Sequence, residues 1–225
     1  MEIREAIKNR RSIRKYKPDP VPRNILEEII ETSRWAGSFI NSQPWEFVVL
    51  GGEVMKECKK RLVLQFKNNE NDERETYPEM PLPEPYAQRA EVFRAQIDNT
   101  MFPPGTENLE KKQHDYTING IEIRDAPNAI LVCTEKQFLK STLPIAAIGI
   151  IMQNVCLAAM SYGLGTCIMG RPVEKPRVLR ELLGIPESKA IPFVIAIGYP
   201  DFEAPINNMV RERAPLESSV HWHSV

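Results

Sequence analysis

The chain has 225 residues, 42% of them hydrophobic and 26% charged, which suits one large domain with an ordinary core. Lys and Arg (29) almost balance Asp and Glu (30), so a formal charge of −1 leaves no global field to recruit nucleic acid or an anionic membrane. Four cysteines (Cys58, Cys133, Cys156, Cys167) lie far apart with no C-x-x-C, and two of the three histidines, His221 and His223, stand near the end. This pattern argues against a zinc site and against a histidine-based triad, and suits free thiols in a reducing cytoplasm. The charged start, Met1 to Glu5, speaks against a secretory signal peptide.

No long internal repeat is visible. The spacing predicts a short helix over Ile3–Asn9, running into a basic turn from Asn9 to Tyr16. Pro18, Pro20 and Pro22 then make an extended linker, with Pro22 placed to open a helix over Asn24–Ser33 whose Ile25, Leu26, Ile29 and Ile30 recur at helical spacing. After a loop at Gly37–Pro44, Phe47–Leu50 reads as a buried strand ended by Gly51-Gly52, and Val54, Cys58, Leu62 and Phe66 mark one face of a further helix. Between Lys67 and Asp125 the chain turns polar and proline-punctuated, with a helical Tyr86–Asn99, Pro103-Pro104-Gly105 and a charged stretch to Asp125. A long weakly apolar excursion of this kind reads as a lid, with a disordered segment as the alternative.

Regular structure resumes with a strand at Ala129–Cys133. The apolar run Leu143–Gly163 holds Pro144 and Gly149 and is broken by Gln153-Asn154, so it reads as a helix, Leu143–Tyr162, buried in a core or subunit interface rather than spanning a membrane. A Gly-rich turn (Gly163–Thr166), a short strand (Cys167–Met169), a helix (Lys175–Leu183) stopped by Gly184 and Pro186, and a strand (Pro192–Ile197) follow. The tail from Tyr199 shows little periodicity. The order of elements predicts an α+β fold around one sheet.

Four segments carry candidate chemistry. Arg10-Arg11-Ser12-Ile13-Arg14 puts three guanidiniums and a hydroxyl within five residues, a set that matches the oxygens of a phosphate monoester; a solvated basic helix end has the same composition. A DNA-binding arm is disfavoured because the rest of the chain is not basic. Ser38 to Trp45 offers the carboxamides of Asn41 and Gln43, which suit a ring presenting donors and acceptors together, such as a flavin pyrimidine; the alternative is an Asn-Ser turn beside a core Trp. Gly163 to Gly170 is not G-x-G-x-x-G and ends a helix rather than opening one, so it either lets backbone N–H groups approach a ligand or caps a helix before a strand. Arg211 and Arg213 would point the same way if extended, toward one anion or toward solvent.

Together and in order, Arg10–Arg14, Asn41-Ser42-Gln43-Pro44-Trp45-Glu46-Phe47, Gln153-Asn154 with Leu157-Ala158-Ala159, Gly163–Thr166 and Arg211–Leu216 resemble the FMN-dependent nitroreductase family. The resemblance covers Met1–Leu50 and Asn128–His221 and is poor across Lys67–Asp125. It implies a single nitroreductase-like α+β domain over residues 1–225: a central mixed β-sheet surrounded by helices, residues 67–125 as a lid or substrate-specificity excursion, and the long apolar helix at the core of a homodimer with FMN at the subunit interface. Arg10, Arg11, Ser12 and Arg14 would then hold the FMN phosphate and ring edge, and Arg211 and Arg213 would close on the phosphate, Arg211 standing where the family more often has Lys. Ser38, Asn41 and Gln43 would reach the partner subunit's flavin, although Gly37 replaces the usual Pro before that Ser. Ile168, Met169 and Gly170 would lie along the flavin N5 edge.

The activity implied is hydride transfer from NAD(P)H through flavin N5 to a nitroaromatic, quinone or related acceptor, with ping-pong kinetics, no catalytic side chain and no metal. Reductive dehalogenation, flavin fragmentation and a non-catalytic flavin sensor are the alternatives on the same fold. Within the excursion, Tyr77, Tyr86, Phe93 and Phe102 would stack on an aromatic acceptor or simply pack the lid, and Arg89 or Arg94 would meet a carboxylate. No nucleic-acid or membrane partner is expected, and the expected compartment is the cytoplasm.

Overall fold

The computed structural model describes residues 2–68, 81–174 and 176–223. Among these residues the helices are α1 (Ile3–Asn9), α2 (Arg23–Ser33), α3 (Gly52–Lys67), α4 (Tyr86–Met101), α5 (Leu109–Ile121), α6 (Thr142–Ser161) and α7 (Arg177–Leu183). The strands are β1 (Glu46–Leu50), β2 (Asn128–Glu135), β3 (Gly165–Met169) and β4 (Lys189–Gly198). They form one sheet in the order β1-β2-β4-β3, with every neighbouring pair antiparallel. The mixed character expected of the sheet is confined to one isolated parallel bridge, Ser12 to Thr166, where the basic turn lies beside β3.

The sheet is covered on both faces, and this is why β2 and β4 are apolar almost without interruption. Successive side chains of a strand point to opposite faces. Ala129, Leu131 and Cys133 of β2 pack with Met55, Cys58 and Leu62 of α3 and Leu179 of α7. Ile130 and Val132 pack instead with Leu26 and Ile29 of α2 and Ile148, Ile151 and Val155 of α6. All four cysteines are free and buried.

α2 begins one residue earlier than expected, with Pro22 in the capping position rather than inside the helix. α6 is long and apolar enough to cross a membrane by length and composition. Its Ala147, Ile151, Val155, Cys156 and Ala159 lie in the core, while Leu143, Ile145 and Ile150 remain exposed on the other face. Gly163, at φ 69°, ends it: the Gly163 N–H donates to the Met160 carbonyl (3.1 Å) and the Leu164 N–H to Ala159 (3.1 Å), the paired bonds of a Schellman cap. The Gly-rich turn is therefore a helix stop that feeds β3.

Within the excursion, the stretch expected to be merely charged contains α5, held at its surface by the Lys111–Asp115 pair (2.8 Å) and anchored by the buried Ile121 and Ile123. The polar stretch Asn68–Glu75 lies, beyond Asn68, outside the described residues, as do Tyr77, Pro78 and Lys175.

The basic turn is held as an added strand. The Ile13 N–H donates to Thr166 (2.9 Å), the Lys17 N–H to Tyr199 (2.9 Å), and the Asp201 N–H to Lys15 (3.1 Å). This close approach requires glycine at 165, because a Cβ there would lie 2.4 Å from Ile13 Cγ1 and 2.8 Å from Pro200 Cγ. Gly165→Ala is expected to destabilise the fold by about 1–3 kcal/mol through forced displacement of the turn, read as a fall of roughly 2–12 °C in Tm.

Candidate functional site

α1 delivers the chain directly into the basic turn, and the tail returns beside it. Arg10, Arg11, Ser12 and Arg14 line one wall of a cavity of about 280 Å³, and Arg211 and Arg213 line the other. The two basic segments, about two hundred positions apart in the chain, thus meet as the sequence predicted. Phe93 of α4 completes the cavity, with the Arg14 guanidinium 5.7 Å from its ring centroid.

The electrostatics of this cavity are one-sided. Among the described residues, none of the five guanidiniums forms an ion pair, although Glu212 also lines the cavity. Arg11 Nη1 donates to the Asn207 carbonyl (2.8 Å), Arg14 Nη1 to Ser12 (3.4 Å) and Arg213 Nη1 to Glu212 (2.8 Å). Arg211 donates to the carbonyls of Lys8 (3.1 Å), Asn9 (3.3 Å) and Arg10, where its charge faces the negative end of α1. Burial, followed by the charges of Arg11, Arg10 and Arg213, pushes the Arg211 pKa down. Its Nε is buried without a hydrogen-bond partner. Four of these five cations bond to neutral carbonyls, one of the four keeps an orphaned N–H, and the set is arranged to receive a multiply charged anion.

One residue that sequence reading missed makes the juxtaposition possible. Asn207 is 1% exposed. Its Oδ1 accepts the Arg14 N–H (2.8 Å), and its Nδ2 donates to the carbonyls of Lys15 (2.8 Å) and Asp201 (2.7 Å). Only a carboxamide supplies both an acceptor and two donors at that reach. The signal available in the sequence was weak: an Asn-Asn pair just before Arg211 in an otherwise aperiodic tail.

The other predicted residues lie elsewhere. Ile168 and Met169 belong to β3, opposite Ile195 and Val194, and Gly170 follows at its exposed end; none of them lines the basic cavity. Ser38, Asn41 and Gln43 sit on the loop before β1, where the Gln43 N–H donates to Ser38 Oγ (3.0 Å) and Gln43 Nε2 to the Asn41 carbonyl (3.3 Å). The loop takes positive φ at Ile40 (45°), Asn41 (55°) and Gln43 (46°), and its Asn and Gln carboxamides face outward. Trp45 beside it is a core residue.

In the excursion, Phe102 packs edge-on against Tyr116 (6.0 Å), Arg89 lies over Tyr86 (5.5 Å) and reaches Ser218 Oγ (3.5 Å), and Arg94 is exposed. Of the four aromatics singled out there, Phe93 lines the cavity, Phe102 and Tyr86 are engaged within the excursion or on its surface, and Tyr77 lies outside the described residues. Gln96 Nε2 donates to the Val210 carbonyl (3.0 Å), tying α4 to the tail.

An antiparallel sheet between helical layers defines an α+β protein, with a basic cavity built from two segments far apart in the chain. Its lineage follows from comparison: the Nitroreductase family model matches residues 7–199, and the chain belongs to that family. A chloronitrobenzene nitroreductase of Comamonas testosteroni is 26% identical over 217 residues, 96% of this chain and 94% of that protein. An NADH dehydrogenase of Thermus thermophilus is 27% identical over 223 residues, 99% and 96% of the two chains. The fold matches the crystal structure of the FMN- and NADPH-dependent nitroreductase NfnB from Sphigopyxis sp. strain HMH with a TM-score of 0.92 at 22% identity, covering 100% of both chains. NfnB from Mycobacterium smegmatis in complex with NADPH gives 0.88 at 21% identity, covering 98% and 97%.

Replacing Asn207 by Ala leaves an N–H and two carbonyls without their partner, and is expected to lower stability by about 2–4 kcal/mol. Denaturant unfolding followed by far-UV circular dichroism measures it; a change below about 0.5 kcal/mol would show that the turn is held by its backbone bonds alone.

Proposed function

We propose that this protein is an NAD(P)H-dependent flavin oxidoreductase that binds FMN and reduces an electron-poor acceptor, a nitroaromatic or a quinone, by a ping-pong mechanism. The observation that carries the reading is the basic cavity, which five guanidiniums line with no carboxylate partner among the described residues and an Arg211 N–H left over. A phosphate monoester is dianionic and planar forks match its oxygens, so Arg10, Arg11, Ser12, Arg14, Arg211 and Arg213 fit the phosphate end of FMN. FMN when bound supplies the ring that accepts hydride from the nicotinamide and yields it to the acceptor.

The residues around the ring would position and shield it. Ile168, Met169 and Gly170 fit the role of an edge that passes along N5 because they lie where β3 ends and the chain reaches the surface at Gly170. Ser38, Asn41 and Gln43, facing outward from this subunit, fit contacts to the flavin of a partner subunit, and the exposed apolar residues of α6 fit the dimer core. Burial raises the Cys167 and Cys156 thiols and holds Tyr16 well above the usual phenol value, so these groups stay neutral near pH 7. The relatives named for chloronitrobenzene, nitrobenzene and 4-nitrobenzoate support a nitroaromatic acceptor. Free buried thiols are in keeping with a cytoplasmic setting.

Anaerobic stopped-flow mixing of the flavin-loaded protein with NADH or NADPH tests the reading. Rapid bleaching followed by recovery on adding a nitroaromatic or quinone is expected; a yellow protein that neither donor bleaches would instead be a flavin sensor. Changing Arg10 and Arg213 together to Ala removes two charged partners, and FMN affinity is expected to fall about 100-fold or more. Fluorescence titration of free FMN measures this, and unchanged affinity would remove the phosphate from this cavity.

A further inference from the structure

The excursion ends in a turn with three consecutive residues in the left-handed region: Ile123 (φ 56°), Arg124 (φ 57°) and Asp125 (φ 54°). None is glycine, and Ile123 is β-branched and buried, so the turn holds backbone strain. The strained turn places the Arg124 guanidinium 4.6 Å from the ring centroid of Tyr116 on α5. Its Nε and Nη1 are buried and have no hydrogen-bond partner.

The obvious carboxylate is turned away, since Asp125 is paired with Lys59 at 2.9 Å. Among the described residues Arg124 forms no ion pair, and its guanidinium lies against the aromatic face of Tyr116. Its surroundings link it to the candidate site. Ile121 and Ile123, on either side of it in the chain, belong to one packed cluster with Ile13, Tyr16 and Cys167. The charge of Arg124 is felt at Tyr16 and at Cys167, both of which also feel Arg14.

We propose that Arg124 is a specificity-determining residue that anchors the carboxylate of an aromatic acid, whose ring is taken up beside Tyr116 and Phe102. The class follows from what is present. A planar fork with N–H groups to spare suits a carboxylate, and the edge-on Phe102–Tyr116 pair offers an aromatic wall next to it. The phosphate of the cofactor is already matched by the other five guanidiniums. Arg89 and Arg94, the guanidiniums that the sequence suggested for this task, are engaged with Ser218 or exposed, and Arg124 takes their place. The inference rests on the reading that the excursion covers the acceptor.

The test uses the flavin-loaded protein and two non-reducible probes, benzoate and the neutral benzamide. Binding is followed by perturbation of the flavin absorption and by calorimetry, so turnover is not needed. Wild type is expected to bind benzoate more tightly than benzamide. In Arg124→Gln, benzoate affinity is expected to fall about tenfold or more, with benzamide affinity changed by less than about twofold. Arg124→Lys is expected to retain part of the preference, because it keeps the charge and loses the fork. In turnover, KM for 4-nitrobenzoate should rise in Arg124→Gln by a similar factor, while KM for nitrobenzene and both kcat values hold. Equal weakening of benzoate and benzamide, loss of bound flavin, or a shift in flavin potential with benzoate binding intact would each overturn the assignment. If Arg124→Gln does not fold, wild type binding benzamide as tightly as benzoate overturns it as well. A protein that binds benzoate through Arg124 but is never bleached by NAD(P)H would retain this site and refute the reductase reading, so the two failures are separable.

Discussion

The carboxamide of Asn207 is the contact on which the candidate site depends. The five arginines and the serine that line the basic cavity come from two segments far apart in the chain, and neither segment belongs to the four-stranded sheet. Beside the bonds of Arg211 to the end of α1 and the backbone bonds at Lys15 and Lys17, one buried side chain joins them by accepting from Arg14 and donating to Lys15 and Asp201. The direction of those bonds matters more than their number. By taking up the backbone groups at 14 and 15, Asn207 sets the turn's pitch, so that the guanidiniums on either side of Ser12 face the tail. The carbonyl of Asn207 itself then receives Arg11, so a single residue fixes both the backbone and one of the cations.

The sheet supplies the other half of the constraint. The turn lies flat on β3 because Gly165 has no side chain to hold it off and because Thr166 offers its carbonyl to Ile13. Ile13 and Tyr16 point into the core between the arginines, and the cations are thereby kept on the opposite side. The two buried residues are three positions apart and share one core cluster, so the segment departs from strict strand alternation and makes only isolated bridges. Hydrophobic burial of two residues thus positions three charged ones.

Much of this was legible in the sequence, and the part that was not has a common cause. Helices α1, α2 and α3 and the strands declared themselves through apolar spacing, and the two arginine segments through composition. α5 did not, because its surface is polar nearly all round and its anchoring residues, Gly120 to Ile123, fall only at its end. The antiparallel course of the sheet depends on how the excursion and α6 return the chain, which local periodicity does not encode. Asn207 and Arg124 were silent for a related reason. An asparagine in an aperiodic tail acquires meaning only from carbonyls that lie far away in the chain, and an arginine in a left-handed turn of non-glycine residues contradicts the local preferences that a reader would apply. Where sequence rules fail in this protein, they fail next to the proposed site.

The cavity also couples any anion it receives to the excursion. Like charges that share a small space repel, and burial depresses Arg211 further, so the cavity holds unfavourable energy that an anion relieves. A ligand that binds only the folded chain adds to its stability by mass action, and here that gain would act on both ends of the chain at once. Helix α4 is attached to the same elements: Phe93 lies against Arg14, and Gln96 is bonded to Val210 in the segment that leads to Arg211. An anion that steadies the turn and the tail therefore steadies α4 as well. The region that selects the acceptor would thus be assembled in the course of holding the group that reduces it.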